Sequence, residues 1–290
     1  MNIATYAVRE IPFDELPAWS PWPARLLGLT DWKPPVRTEK KVDSEYDKDE
    51  YLRCLAFAKE HPAATPEEVR AFEFRMEERK TFCVSVGEAL HEIPAERVIP
   101  IDSELLIETM QPLMDKVDTV VELGCGYGIN LWTLQQRFPG KRYVGGEYSP
   151  NAVTLAHQLY KNIPEIQVEP FNFYDASYAL FAKLPPTAKI LVFTRHAIEQ
   201  LPSAQAVLAG LAPHFPNIVA GVHLEPTIGN YSDSVFGLLM RKYIVINDYN
   251  RDLLQLLTDR KDVSLLKNDP NVYGVSPLNP TSILVWKPKK

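Results

Sequence analysis

Three alternate glycines directly after a short apolar segment constrain the fold more than any other feature of this sequence. The segment Thr119–Leu123 is β-branched and apolar, a composition typical of a short strand that is buried on both faces. Gly124, Gly126 and Gly128 follow, and a helical pattern then runs over 129–138. Glycine suits such a turn because the backbone bends sharply and a ligand must approach main-chain atoms with no Cβ in between. This order of strand, glycine turn and helix places a ligand at the carboxyl end of the strand.

The spacing of these glycines and the acid before them indicate the class of ligand. A dinucleotide-binding loop has the spacing G-x-G-x-x-G and a P-loop needs a lysine after its glycines, whereas this loop has neither. A carboxylate before the first glycine would oppose an anion and favour a cationic amino or sulfonium group. The string E-x-G-x-G-x-G resembles motif I of the class I S-adenosylmethionine (SAM)-dependent methyltransferases, where the loop wraps the methionine part of SAM. The resemblance implies these cofactor contacts: Glu122, Gly124, Cys125, Gly126 and Tyr127.

A second motif follows at the next predicted strand, Arg142–Gly146, which ends in Glu147. Ser149 and Pro150 then open a helix as its N-cap and first residue. An acid at this place, roughly 20 residues past the glycines, can accept both ribose hydroxyls of a nucleoside. The string from 145 to 149 resembles the methyltransferase ribose motif, so we expect Glu147 and Tyr148 in the cofactor site. The alternative is an NAD domain, or a βαβ unit that binds no nucleotide.

The resemblance also implies an adenine site after the third predicted strand, made of a polar residue and an apolar neighbour. Two registers fit the sequence: Asn172 with Phe173, or Asp175 with Ala176. We favour the first because a flat aromatic side chain can stack on adenine, although the family more often has Asp at the polar position. The alternative is that the phenylalanine belongs to the core. Thr194, at the end of the fourth strand, completes the predicted cofactor set.

Candidate catalytic residues follow the fourth and fifth predicted strands. His196 lies in the segment that the resemblance places beside the transferred methyl, and an imidazole can take a proton near neutral pH. Glu199 could orient His196, bind a cationic substrate or begin a helix. His223 and Glu225 alternate along a strand, so both point to one face. These four residues could converge on a metal, but no close H-x-x-x-H spacing supports one, so we expect substrate-binding residues and no metal. A purely structural role for His196 is the alternative.

The order of predicted elements indicates the fold and its division. From residue 118 onward strands and helices alternate, which implies a parallel sheet with helices on both faces. We predict an α/β fold with a seven-stranded, doubly wound, mostly parallel sheet of the Rossmann-like methyltransferase type and a helical N-terminal extension. We divide the chain into a proline- and tryptophan-rich arm (1–43), a helical cap or lid (44–117) and a SAM-binding domain (118–290). The cap helices are predicted over 44–59, from Thr65 to about Lys80, and from Asp102 or Ser103.

Composition excludes several classes of function. The 290 residues are 46% hydrophobic and carry a net charge of −6, so no basic surface indicates a nucleic-acid partner. No apolar run approaches the roughly 18 residues of a membrane span, and the N-terminus does not resemble a signal peptide. Three scattered cysteines without a C-x-x-C pattern indicate reduced thiols and a cytoplasmic protein.

We therefore predict SAM-dependent methyl transfer to a small-molecule acceptor, such as a sugar, a carboxylate or an amine, in a biosynthetic pathway. The acidic balance and the acids Glu199 and Glu225 would also suit a peptide or protein side chain such as a guanidinium. A further alternative is a non-catalytic SAM-binding regulator or assembly subunit, with a homodimer formed through the arm. Loops at 231–250 and 273–282 are additional candidates for substrate contact.

Overall fold

The computed structural model describes residues 3–34, 38, 41 and 43–289, so parts of the predicted arm lie outside the described residues. The N-terminal part contains, in chain order, β1 (Arg9–Ile11), α1 (Leu16–Trp19), α2 (Trp22–Leu26), a π-helical segment (Asp43–Tyr51), α3 (Leu52–Glu60), α4 (Pro66–Glu73), β2 (Thr81–Val86), β3 (Ala89–Pro94) and α5 (Ala95–Met114). The predicted capping role of Thr65 is present, because its hydroxyl accepts from the backbone of Glu68 and the Glu68 side chain accepts in return.

The predicted helical cap differs from the structure in the middle, where β2 and β3 form an antiparallel hairpin. Gly87 turns between the two strands with a φ of +58°, and β1 of the arm pairs with the other edge of β3. The prediction missed this hairpin because the alternation along β2 is irregular: four consecutive residues are buried. Helix α5 also begins at Ala95, before the predicted start at Asp102 or Ser103, and it tolerates Pro100 close to its N-terminus.

The C-terminal part contains the alternating elements that the sequence predicts. They are β4 (Thr119–Leu123), α6 (Ile129–Arg137), β5 (Arg142–Glu147), α7 (Pro150–Leu159), β6 (Ile166–Pro170), β7 (Ile190–Arg195), α8 (Gln205–Leu211), β8 (Ile218–Glu225), α9 (Val235–Ile246), α10 (Leu253–Asp259), β9 (Val263–Tyr273) and β10 (Thr281–Pro288). The alternation of strands and helices also predicts a helix near 175–183, but the structure has turns there and a short 3₁₀ segment at Phe181–Lys183.

These strands form one seven-stranded sheet in the order β6-β5-β4-β7-β8-β10-β9. Strands β4 to β8 pair in parallel, and β10 runs antiparallel to both of its neighbours. The predicted fold class, an α/β fold with a seven-stranded and mostly parallel sheet, is therefore confirmed. The chain turns from one half of the sheet to the other between β4 and β7, and such a switch point is where α/β folds place their ligands.

Both faces of the sheet are covered, because successive side chains of a strand point to opposite sides. Val120 packs into a cluster with Leu106 of α5 and Leu131 of α6. Its neighbour Val121 packs into a second cluster with Leu208 of α8 on the opposite face. The two cores hold the carboxyl ends of β4, β5 and β7 rigidly at one edge, which positions the loops that follow them.

Within the described residues, no helix is both long and apolar enough to cross a lipid bilayer.

Gly221 in β8 is the position where the sheet is most sensitive to an added methyl group. It lies opposite Trp286 of β10, and a Cβ built on it would come within 2.2 Å of the buried indole. We expect Gly221→Ala to lower the free energy of unfolding by about 1–3 kcal/mol through overpacking, measured by urea denaturation. Gly229→Ala is the control, because its Cβ would meet only a Leu254 methyl at 3.2 Å. Equal stability of the two variants would contradict this packing.

Candidate active site

A cavity of about 540 Å³ lies at the carboxyl ends of β4, β5, β6 and β7, within the size range of small-molecule sites. Its walls come from the glycine loop, from the residues that follow β5, β6 and β7, from the N-terminal cap, and from the loop between β9 and β10. The lining residues include Tyr46, Asp47, Glu50, Tyr51, Arg70, Glu73, Asp102, Gly124, Cys125, Gly126, Tyr127, Asn130, Glu147, Tyr148, Asn172, Phe173, Arg195, His196, Glu199, Gln200, Asn279 and Thr281.

The glycine loop forms one wall and needs its glycines for two reasons. Gly124, Gly126 and Gly128 have φ values of +73°, +56° and +84°, a region that favours glycine. In addition, a Cβ on Gly124 would lie 2.4 Å from the Ala197 Cβ, and one on Gly126 would lie 2.6 Å from the Tyr51 hydroxyl. The main chain of the loop therefore packs closely against Ala197 and Tyr51.

Glu147 faces the cavity at the end of β5, with Tyr148 beside it. One of its carboxylate oxygens accepts the Gly126 backbone N–H at 2.7 Å, and the other accepts the Ser149 N–H at 2.8 Å. Burial raises the pKa of Glu147, although these backbone donors partly offset the increase. Each oxygen keeps a second acceptor position, so the carboxylate can fix the loop and still accept two hydroxyl groups.

The segment after β6 brings Asn172 and Phe173 to the cavity. The Asn172 Oδ1 accepts the Tyr174 N–H at 2.9 Å, and the Phe173 ring reaches within 3.4 Å of the position of a Cβ on Gly124. Asp175 lies instead at a smaller surface cavity and accepts the Ser177 N–H at 2.9 Å. Of the two predicted registers, only the one with Asn172 and Phe173 places both of its residues at the main cavity.

Glu122 and Cys125 lie behind or within the loop and are buried. Glu122 is not in contact with the cavity; its Oε1 accepts from the Asn130 Nδ2 at 2.7 Å, and its Oε2 has no partner among the described residues. Burial raises the pKa of Glu122 to about 8. Cys125 lines the cavity, but burial raises the pKa of its thiol well above the ordinary value, so the thiol is unreactive. A Cβ on Gly145 would lie 2.4 Å from the Cys125 Sγ, which explains the glycine there.

His196 lines the cavity after β7 in a left-handed conformation with a φ of +49°. Its Nδ1 lies 3.0 Å from the Glu199 Oε2, and its Nε2 lies 2.7 Å from the Thr281 Oγ1. A carboxylate only accepts, so Nδ1 carries the proton and Nε2 is the basic nitrogen. Burial lowers the pKa of His196, but the Glu199 charge and hydrogen bond outweigh it and leave the pKa raised. A non-glycine residue held at positive φ is common at functional sites.

Thr194 and His223 are fully buried and do not line the cavity. The Trp286 Nε1 donates to the His223 Nε2 at 2.9 Å, so the His223 Nδ1 carries the proton and donates to the Thr194 Oγ1, also at 2.9 Å. Burial lowers the pKa of His223 to about 3, so its ring stays neutral. The expectation that His223 acts on substrate therefore finds no geometric support; the ring links two strands of the sheet.

Glu225 is also buried and lies under the turn that carries His196, outside the cavity lining. It accepts the backbone N–H groups of Ala197, Ile198 and Glu199 at 3.0, 3.1 and 3.2 Å. Burial raises its pKa to about 7, while the His196 charge and the Thr194 hydroxyl oppose the increase. The four predicted catalytic residues therefore separate into a pair at the cavity, His196 and Glu199, and a pair that supports them from below.

The sequence analysis missed a charged network that joins the cap to the glycine loop. The Tyr127 hydroxyl donates to Glu73 of α4 at 2.8 Å, and Arg70 of the same helix pairs with Glu73 at 3.0 Å. Arg70 and Arg195 both pair with Asp102 of α5. No spacing in the sequence could reveal this network, because its members come from four separate elements. The sequence analysis named Tyr127 as a cofactor contact and Asp102 as a possible helix start, but it assigned no role in the site to Arg70, Glu73 or Arg195.

The π-helical segment covers the cavity and is fixed to the start of α7. Asp47 accepts from the Ser149 hydroxyl at 2.5 Å and from the Asn151 backbone N–H at 3.0 Å. Tyr46 and Tyr51 of the same segment line the cavity, with their ring centroids 6.2 Å apart. π-Helical turns are rare and occur frequently at functional sites.

Charge is unevenly distributed in the lining. The described lining residues include seven carboxyl groups but only two guanidinium groups, which favours cationic ligands. The acids are Asp43, Asp47, Glu50, Glu73, Asp102, Glu147 and Glu199, and the cations are Arg70 and Arg195. Among the residues that the structure describes, no group of three or more His, Cys, Asp or Glu side chains is arranged to hold a metal ion. Of the two candidate substrate loops, 273–282 lines the cavity, and the described residues of 231–250 do not.

The raised pKa of Glu122 predicts how stability changes with pH. Because the folded protein favours the protonated form, it binds more protons than the unfolded chain between about pH 5 and pH 8, and stability falls as pH rises. Glu122→Gln cannot ionise, so we expect its stability relative to the native protein to rise across this interval, by at most about 1.4 kcal/mol per pH unit. Denaturant titrations at several pH values measure this. The exposed control Glu104→Gln should show no such trend. If the free energy of unfolding of both variants followed the same pH dependence, the raised pKa of Glu122 would be contradicted.

Comparison with known proteins shows that this chain resembles several solved structures in fold. No protein-family model matches the sequence, and no curated protein matches it. Among solved structures, geranyl diphosphate C-methyltransferase from Streptomyces coelicolor A3(2) is 12% identical, with 67% of this chain and 80% of that chain covered and a TM-score of 0.47. An O-methyltransferase from Bacillus cereus is 15% identical, with 65% and 81% covered and a TM-score of 0.44. The plantazolicin methyltransferase BpumL is 15% identical, with 86% and 99% covered and a TM-score of 0.44. What the chain shares with these proteins is the fold.

Proposed function

We propose that this protein is a SAM-dependent methyltransferase that acts on a small-molecule acceptor bound in the same cavity as SAM. The observation that carries the proposal is the position of Glu147 at the carboxyl end of β5, where it faces the cavity. It holds the left-handed glycine loop through Gly126 and keeps acceptor positions toward the cavity. An NAD-type site would instead have the spacing G-x-G-x-x-G, which this loop lacks.

The described residues fit each part of SAM. Glu147 would accept the ribose hydroxyls, and Asn172 and Phe173 would contact the adenine. The network of Arg70, Glu73, Asp102 and Arg195 offers both charges to the zwitterionic methionine end. When bound, SAM supplies a methyl group. The acceptor lone pair forms the new bond to the methyl carbon, and the electron pair of the broken carbon–sulfur bond goes to sulfur.

In this proposal His196 removes the proton of the acceptor. Its Nε2 is the basic nitrogen and currently faces the Thr281 hydroxyl, a position that an acceptor donor group would take. Glu199 then stabilises the imidazolium through Nδ1. Glu225, with three backbone N–H groups, keeps the turn and therefore the ring in place. His223 and Thr194 lie outside the cavity lining, and the Thr194 hydroxyl connects His223 with Glu225.

We also propose that residues 44–117 form a cap over the cavity and that the arm braces the sheet domain, 118–290. Asp47 fixes the cap to α7, and Tyr51 covers Gly126, so both help to exclude water. Within the arm, Trp22 packs on Tyr243 of α9 with ring centroids 4.6 Å apart. A homodimer through the arm stays a prediction.

The cofactor assignment is tested by isothermal calorimetry with S-adenosylhomocysteine and with NADH. We expect the S-adenosyl compound to bind and NADH to give no heat. Glu147→Gln should weaken binding about 10–100-fold, because it removes a charged acceptor for hydroxyl groups. Glu169→Gln, at the partly exposed end of β6, is the matched control. Tight NADH binding, or unchanged affinity in Glu147→Gln, would remove the basis of the assignment.

The role of His196 is tested by its pH dependence. Activity requires the neutral ring, and Glu199 raises its pKa, so the rising limb of the kcat/KM profile should lie above the ordinary histidine pKa of about 6.5. Glu199→Gln should move this limb to lower pH. His196→Ala should lower turnover about 100-fold or more while S-adenosylhomocysteine affinity is retained, and the exposed control His61→Ala should change neither. Full turnover in His196→Ala would exclude a base role, and cofactor binding without turnover on any acceptor would favour a regulator.

A further inference from the structure

We propose that the acceptor end of the cavity recognises an amine, bound as its ammonium form, through the side-chain oxygens of Asn279 and Gln200. This inference rests on the proposed methyltransferase function, because it names the class of acceptor at that site. It is carried by the hydrogen-bond directions around Glu199, by the charge of the lining and by the two tyrosines beside it.

The orientation of both amide side chains is fixed by Glu199. The Asn279 Nδ2 donates to the Glu199 Oε2 at 3.0 Å, and the Gln200 Nε2 donates to the Glu199 Oε1 at 2.9 Å. Since a carboxylate can only accept, neither amide can be turned around without placing two oxygens against each other. Glu199 therefore directs both amide nitrogens toward itself and both amide oxygens away.

Neither of these oxygens has a donor within the described part of the chain. The Asn279 Oδ1 and the Gln200 Oε1 are both shielded from solvent and unpaired. Asn279 as a whole is only 7% exposed, so its oxygen has lost water without gaining a protein partner. Leaving a buried acceptor unpaired costs about 1–3 kcal/mol, and a ligand N–H would remove this cost. Two unpaired acceptors thus lie beside one carboxylate, just beneath the cavity surface, and a ligand N–H reaches either of them when its amide shifts toward the cavity.

The charge and the aromatic content of the lining favour a cationic donor. Both arginines of the lining are committed to Asp102, whereas carboxyl groups outnumber them. The Gln200 Nε2 also donates to the Tyr46 hydroxyl at 3.0 Å, and the rings of Tyr46 and Tyr51, 6.2 Å apart, line the same cavity. Ammonium groups bind the faces of such rings. An alcohol offers one donor and no charge, and a carboxylate would add an acceptor to a wall that already lacks donors.

The test uses the full-length protein saturated with S-adenosylhomocysteine and three probes of nearly equal shape: benzylamine, benzyl alcohol and benzoate. Calorimetry gives their affinities, and a crystal structure of the benzylamine complex gives the contacts. We expect benzylamine to bind at least tenfold more tightly than the other two, with its nitrogen within hydrogen-bond distance of the Asn279 Oδ1 or the Gln200 Oε1.

Two variants give a matched comparison. Asn279→Ala and Gln200→Ala should each weaken benzylamine binding about tenfold or more, since each removes an acceptor for a charged donor, and neither should change the affinity for S-adenosylhomocysteine. Gln167→Ala, the same kind of truncation at an exposed position of β6, should change neither affinity.

The outcomes separate the two proposals. Three outcomes would overturn the amine inference: tighter binding of benzyl alcohol or benzoate, absence of benzylamine binding, or a benzylamine nitrogen bound away from both amide oxygens. Binding of S-adenosylhomocysteine would still support the cofactor site in each of these cases. Absence of S-adenosylhomocysteine binding in the native protein would overturn the proposed function and the inference with it.

Discussion

The active-site half of this protein depends on buried carboxylates that accept backbone N–H groups. Glu225 accepts three of them from the turn after β7, and Glu147 accepts two that belong to the glycine loop and to the start of α7. Each carboxylate is removed from water, which raises its pKa, and the backbone donors compensate part of that cost. The loops that form the cavity are thus ordered by charge at the strand ends as well as by packing.

A second layer of polar contacts connects the N-terminal cap to the same loops. Tyr127 of the glycine loop reaches Glu73 of α4, and Asp47 reaches the Ser149 N-cap of α7. The cap therefore contacts the loop that holds the methionine end in our proposal and the helix that follows the ribose acid. Because the cavity is bounded by both parts of the chain, described residues of the N-terminal part, such as Asp47, Tyr51 and Arg70, contribute directly to the shape and charge of the site.

The sequence allowed the sheet to be predicted because its signal is local. Buried strands such as Thr119–Leu123 and the glycines after them carry their pattern within ten residues, and each lies where that pattern indicates. The β2–β3 hairpin was missed because its alternation is irregular. The pairing of Tyr127 with Glu73 depends on contacts between residues 54 positions apart, which no spacing rule encodes.

The candidate site was predictable in position but not in the roles of its residues. Alternation along β8 places His223 and Glu225 on one face, as expected, yet that face meets Thr194 and the His196 turn and not the cavity. Whether these two side chains reach the cavity depends on their tertiary partners, Trp286 for His223 and the turn after β7 for Glu225, and no local pattern encodes those partners. Asn279 and Gln200 carry no motif, and only their shared partner Glu199 reveals them.

The π-helical segment that covers Gly126 links access to the glycine loop with the strength of a few contacts. The Tyr51 hydroxyl lies 2.6 Å from the position of a Cβ on Gly126, and Asp47 accepts from the Ser149 hydroxyl. Under the proposed function, a release of these contacts during exchange of the methyl donor would take microseconds to milliseconds, the time range of loop movements in enzymes. The frequency of that release would then limit the number of catalytic cycles per second.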